Sequence, residues 1–142
     1  MQTSHLAAEW SLLQNQFDSY EKYSLLIKLS SIGVLAAAYF TNHLSVFILC
    51  LLFILWLQDA IWKTFQARIG SRLLQLEAYL SNEHAPQHSD GIAFQFNSLY
   101  ARNRPNSIDL VKEYFSQALR PTIAFPHVLL IVSLGLKLLF MA

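Results

Sequence analysis

Lys28 and Asp59 are the two side chains of this 142-residue chain whose chemistry most needs explaining, because residues 29–58 between them carry no fixed charge. An ammonium or a carboxylate held alone at membrane depth costs several kcal/mol, and intramembrane ionisable groups generally find a partner. The two are therefore expected to form an ion pair. Its plain role is a structural clamp at the inner edge of the membrane, with Lys28 partly snorkelling; its more specific one is handling a proton or an ion. His127 stands near the start of a later apolar run. A lone histidine there reads as structural rather than as a proton relay.

Other candidates carry weaker chemistry. His84 and His88, with Glu83 and Asp90 nearby, are the right atom types for a metal, but Pro86 spoils the i, i+4 presentation and no fourth ligand is specified. A solvated loop is the expectation, with no metal and no cofactor. The sequence holds no Gly-rich phosphate loop, no Gly-x-Ser-x-Gly elbow and no His-Glu-x-x-His, so catalysis and a small-molecule substrate are not expected. Cys50 is the single cysteine, which excludes an intrachain disulfide, and its apolar neighbours make it a small hydrophobe. A net charge of +1 with dispersed basic residues speaks against nucleic acid as partner.

The element that must position Lys28 and Asp59 is a hairpin over residues 23–62: two apolar arms joined by Thr41-Asn42-His43. Its charge-free arms fall short of a bilayer core, but from Tyr23 to Thr41 an arm measures about 27 Å, enough to cross with little tilt. Tyr20, Tyr23 and Trp62 suit the headgroup layer at one end, as Tyr39 does beside the turn. Folding at Asn42 sets residue i opposite roughly 84 − i, which brings Lys28 within about a turn of Asp59. Hydrophobic content of 54% and charged content of 13% agree with an integral membrane protein.

Both arms continue beyond the membrane. Leu6, Trp10, Leu13, Phe17 and Tyr20 alternate steps of four and three, and no Gly or Pro precedes Gly33, so one helix is predicted over residues 4–40 with Ser4 as a possible cap. Trp62, Phe65, Ile69, Leu73, Leu76 and Leu80 form a matching stripe. The folding rule sets Trp10 near Leu73 and Leu76, Phe17 near Phe65 and Ile69, Glu9 near Arg72 and Glu21 near Lys63. Gly70 marks a bend or a close helix contact. The expected organisation is an N-terminal amphipathic helix (1–22), the transmembrane hairpin (23–62), a stalk, loop and amphipathic helix (63–120), and a third span (121–142).

Within the third of these parts, residues 82–91 break the helix. Residues 92–100 read as an interfacial or stalk-packed segment, with Arg102 and Arg104 able to meet anionic headgroups. Ser107 offers an N-cap for a helix whose Leu110, Val111, Tyr114, Ala118 and Leu119 form its apolar face. In the last span Pro126 is expected to kink the first turns and Lys137 to snorkel. The fold expected is thus all-α, with three transmembrane helices and a long antiparallel hairpin reaching into the cytoplasm.

Lys63, Arg68, Arg72, Arg102, Arg104, Lys112 and Arg120 all lie between spans two and three, whereas the turn at Asn42 has no basic residue. The positive-inside rule then sets the N-terminus inside and the C-terminus outside a bacterial cytoplasmic membrane. No cleavable leader is expected, since Glu9, Asp18 and Glu21 interrupt the start. The function expected is a non-enzymatic scaffold or accessory subunit that docks a partner or self-assembles, its partners being membrane lipid and a homo-oligomer or larger complex. The alternative is an oligomeric pore or membrane-disrupting effector. In layout, a helical segment, two close spans and a long helical extension over about the first 80 residues resemble the two-span effector modules of bacterial conflict systems. A pore needs a polar stripe, for which Ser24, Lys28 and Ser31 supply part.

Overall fold

A computed structural model describes residues 2–81, 93–102 and 106–141. The helices are α1 (Gln2–Phe40), α2 (Val46–Ser81), α3 (Phe96–Arg102), α4 (Ser107–Ala118) and α5 (Pro121–Met141). Three of them, α1, α2 and α5, contain stretches long and apolar enough to cross a membrane. The chain is an all-α integral membrane protein built on a hairpin of its two long N-terminal helices.

α1 has 39 residues, about 58 Å of helix, and begins two residues ahead of Ser4. Its end is fixed by local chemistry. Asn42 takes the left-handed conformation (φ 54°), which Asn tolerates better than most side chains. The His43 amide then donates to the Ala38 carbonyl at 3.0 Å and the Asn42 amide to Tyr39 at 3.2 Å, the double bond pattern of a Schellman cap. The Thr41 hydroxyl engages the Ala37 carbonyl at 2.8 Å. The chain reverses here and α2 runs back along α1.

Beyond the membrane part, the two seams close on each other. Leu6 and Leu13 of α1 are buried with Ile69, Leu73 and Leu76 of α2, and Trp10, Phe17 and Tyr20 pack against them. Gly70 is the close contact rather than a bend: a Cβ there would stand 3.3 Å from the Phe17 ring. Glu9 meets Arg72 (3.0 Å) and Glu21 meets Lys63 (2.5 Å), both in the register set by folding at Asn42. Ala93 and Phe96 pack on the same core, and the Phe94 amide donates to Glu9 Oε2 at 2.7 Å with φ at 62°. Holding a phenylalanine at that φ costs about 1 kcal/mol or more. The short α3 is therefore a stalk-packed element.

α4 and α5 complete the assembly by packing on α2, and α5 also touches α1. Asn106, not Ser107, occupies the N-cap position of α4, with no side-chain cap bond. The helix is rotated part-way from its expected packing: of the expected apolar face Ala118 is buried and Leu110 and Tyr114 are half-buried, while Val111 and Leu119 are exposed. Gln117 and Ala118 are buried and Glu113 pairs with Arg68 of α2 at 2.7 Å, while Ile108, Val111, Phe115 and Leu119 face outward. In α5, Phe125 leaves the helical region (φ −84°, ψ 128°) before Pro126, where the helix kinks.

Candidate functional site

The site is assembled from all three spans. Steps of four and three along α1 place Ser24, Lys28 and Ser31 on one helix face. α2 contributes Asp59, and α5 contributes His127 immediately after its kink. Ser24, Ser31, Asp59 and His127 are each 1% exposed or less.

Asp59 is the hub. Its Oδ1 accepts from the Ser24 hydroxyl at 2.5 Å. Its Oδ2 faces His127 Nε2 at 3.3 Å and Lys28 Nζ at 3.9 Å. Lys28 donates more closely to the Thr122 carbonyl, at 3.0 Å, which ties α1 to the first turn of α5. On the far side of the imidazole, Nδ1 is 3.3 Å from Ser31 Oγ, whose hydroxyl donates to the Ile27 carbonyl at 3.0 Å. A serine has one O–H, so with that proton on Ile27 the oxygen presents its lone pairs to Nδ1.

Ser31, His127 and Asp59 thus have the connectivity of a charge-relay triad. The surroundings oppose acyl chemistry in this arrangement. Ser31 Oγ is sealed, its proton points along its own helix, and the neighbouring amides of α1 are engaged in helix bonds, so neither a carbonyl nor an oxyanion has a place to sit. What the cluster does physically is crosslink three helices through groups that satisfy one another. Among the described residues no buried side-chain nitrogen or oxygen lacks a partner, as low-dielectric burial requires.

A second polar layer lies just beyond, on the stalk side. Lys63 donates to Glu21 and to Gln66 Oε1 (2.8 Å), while Gln66 Nε2 donates to Glu21 (2.9 Å) and to the Phe17 carbonyl (3.1 Å). The Lys63 hydrogen bond, then that of Gln66, holds the Glu21 carboxyl below its ordinary pKa of 4.5. Tyr20 and Tyr23 lie against Trp62 at ring separations of 5.1 and 5.6 Å, at the same height.

The residues singled out from the sequence fall into three groups. Lys28 and Asp59 come together at 3.9 Å, but Ser24 and His127 are closer to the carboxylate than Lys28 is. Ile69, Leu73 and Leu76 are buried with Trp10 and Phe17 against them, whereas Phe65 is 37% exposed and turns its ring toward Arg68, at 5.4 Å. Phe65 lines a cleft with Tyr20 and Phe96 because it sits about 100° round α2 from the buried Thr64. Arg102 is exposed at the end of α3; Arg104, His84 and His88 lie outside the described residues.

His127 is the site residue that its surroundings in the sequence understate. Ser24, Lys28 and Ser31 form a polar stripe on an otherwise apolar arm. Such a stripe favours a polar partner on another helix, and His127 is the first ionisable side chain of the last span. Comparison of the chain with protein-family models, with curated proteins and with solved structures found no match.

Proposed function

We propose that the chain is a non-enzymatic membrane scaffold or accessory subunit that docks a partner or a second copy of itself. One observation carries this reading. The polar groups of the membrane unit are engaged with one another, while large apolar side chains face outward both on the spans and on α4. On α4 the outward residues Ile108, Val111, Phe115 and Leu119 follow helical spacing, the pattern of a face that expects an apolar neighbour. Leu12 and Leu74 extend apolar exposure onto the stalk.

The orientation proposed follows the basic residues: stalk and N-terminus in the cytoplasm of a bacterium, Ala142 outside, the hairpin in the inner membrane. The pore reading has less support. Ser24 and Ser31, which its polar stripe requires, point into the sealed cluster.

The test is mass determination of the complex extracted in native lipid nanodiscs, with each co-purifying chain identified. A fixed stoichiometry, with a second protein or with further copies, is the expected result. A bare monomer across all extraction conditions would sink the proposal.

A further inference from the structure

We propose that a cleft at the stalk end of the membrane unit binds the phosphate of an anionic phospholipid. The cleft, about 340 Å³, lies between α1, α2 and the α4–α5 junction. It needs only the membrane embedding of the chain and is independent of the scaffold reading.

Its wall carries Lys28, Lys63 and Arg120 against a single carboxylate, Glu21. Those four groups leave two net positive charges on the wall, and Asp59 behind Lys28 reduces them to one. A phosphodiester with one negative charge neutralises what remains. Donors are also in place. Lys63 has three N–H groups, of which Glu21 and Gln66 engage two. Arg120 is exposed and brings a planar fork suited to phosphate oxygens. Gln117 and Thr122 line the same space.

Depth selects a lipid over a soluble anion. The turns of α1 and α2 that line the cleft also carry Tyr20, Tyr23 and, one residue before Lys63, Trp62. Aromatic side chains of this kind mark the headgroup layer, where phosphates are concentrated. Leu119 and Phe125, close to Arg120 and Thr122 in the chain, are exposed apolar residues against which acyl chains can lie.

The test is native mass spectrometry of the full chain, delipidated in neutral detergent and titrated separately with phosphatidylglycerol, phosphatidylcholine and inorganic phosphate. One phosphatidylglycerol should be retained about tenfold more tightly than phosphatidylcholine. Arg120→Gln, at an exposed position, should lower that retention about fivefold to tenfold, and Lys112→Gln, an exposed cation outside the cleft, should change it by less than about twofold. Inorganic phosphate should not displace the lipid. Equal retention of the two lipids, or equal effects of the two substitutions, overturns the site. Displacement by millimolar phosphate that is lost in Arg120→Gln overturns the lipid as the source and assigns the cleft to a soluble phosphate.

Discussion

His127 Nε2 stands 3.3 Å from Asp59 Oδ2, and neither side chain reaches the surface. The contact joins the last span to the hairpin and is backed by Ser31 on one side and Ser24 on the other. His127→Ala should therefore lower stability by about 1–2 kcal/mol, the upper range for interhelical polar contacts in membranes. Asp59→Ala should cost more, about 3 kcal/mol or above, because Lys28 and His127 both lose the same carboxylate. Detergent unfolding followed by circular dichroism measures both, and a wild-type midpoint for His127→Ala would refute the role of this contact.

Much of this architecture can be read from residue order, and the part that cannot has a physical cause. The α1–α2 register follows from one turn and two apolar seams, because antiparallel neighbours joined by a short loop have little freedom to slide. Glu9–Arg72 and Glu21–Lys63 meet for that reason. α4 and α5 lack such a constraint, since nothing local says which face of α2 they return to. The orientation of α4 shows the consequence: Leu110, Tyr114 and Ala118 turn inward as the amphipathic pattern suggests, but Glu113 reaches Arg68 and leaves Val111 and Leu119 of the expected face outside. The partners of His127 are hidden in the sequence on the same ground, lying 68 and 96 residues away in the chain.

Glu9 and Arg72 form a buried pair in the stalk, with side chains 4% and 3% exposed. Arg72→Leu strips the guanidinium from a carboxylate that retains the Phe94 amide, and should destabilise by about 3–5 kcal/mol. Replacing both by leucine should recover most of that loss, because well-packed apolar residues often match a buried pair. A double-mutant cycle decides it. If the double variant is as unstable as the sum of the single ones, the two residues are not coupled.

Glu21 gives the stalk base a defined acid dependence. Its carboxyl is held below 4.5 by Lys63 and then by Gln66. A depressed folded-state pKa contributes stability that is complete above the unfolded value and is lost as pH falls through the folded one. Glu21 is 63% exposed, so its worth is at most about 1 kcal/mol. Comparing wild type with Glu21→Gln at neutral pH and below 4.5 should show a small gap that closes on acidification. A gap that widens there would mean the linkage has the wrong sign.

Leu74 and Leu76 test whether the stalk seam holds the two long helices together. They sit two residues apart on α2, and Leu76 is entirely buried whereas Leu74 is 68% exposed. Leu76→Ala removes methyl groups from a contact between Leu6, Leu13 and Leu73 of the same core and should cost about 2–5 kcal/mol. Leu74→Ala removes the same atoms from a position facing away from that core, and in the isolated chain should stay within about 0.5 kcal/mol. The pair of substitutions has equal chemistry and equal helix propensity effects, so the difference reports packing alone. It also separates fold from docking: a Leu74→Ala chain that unfolds normally but loses co-purifying material would place Leu74 on the surface that meets a neighbour, while a loss of stability equal to that of Leu76→Ala would mean the seam runs along a different face of α2.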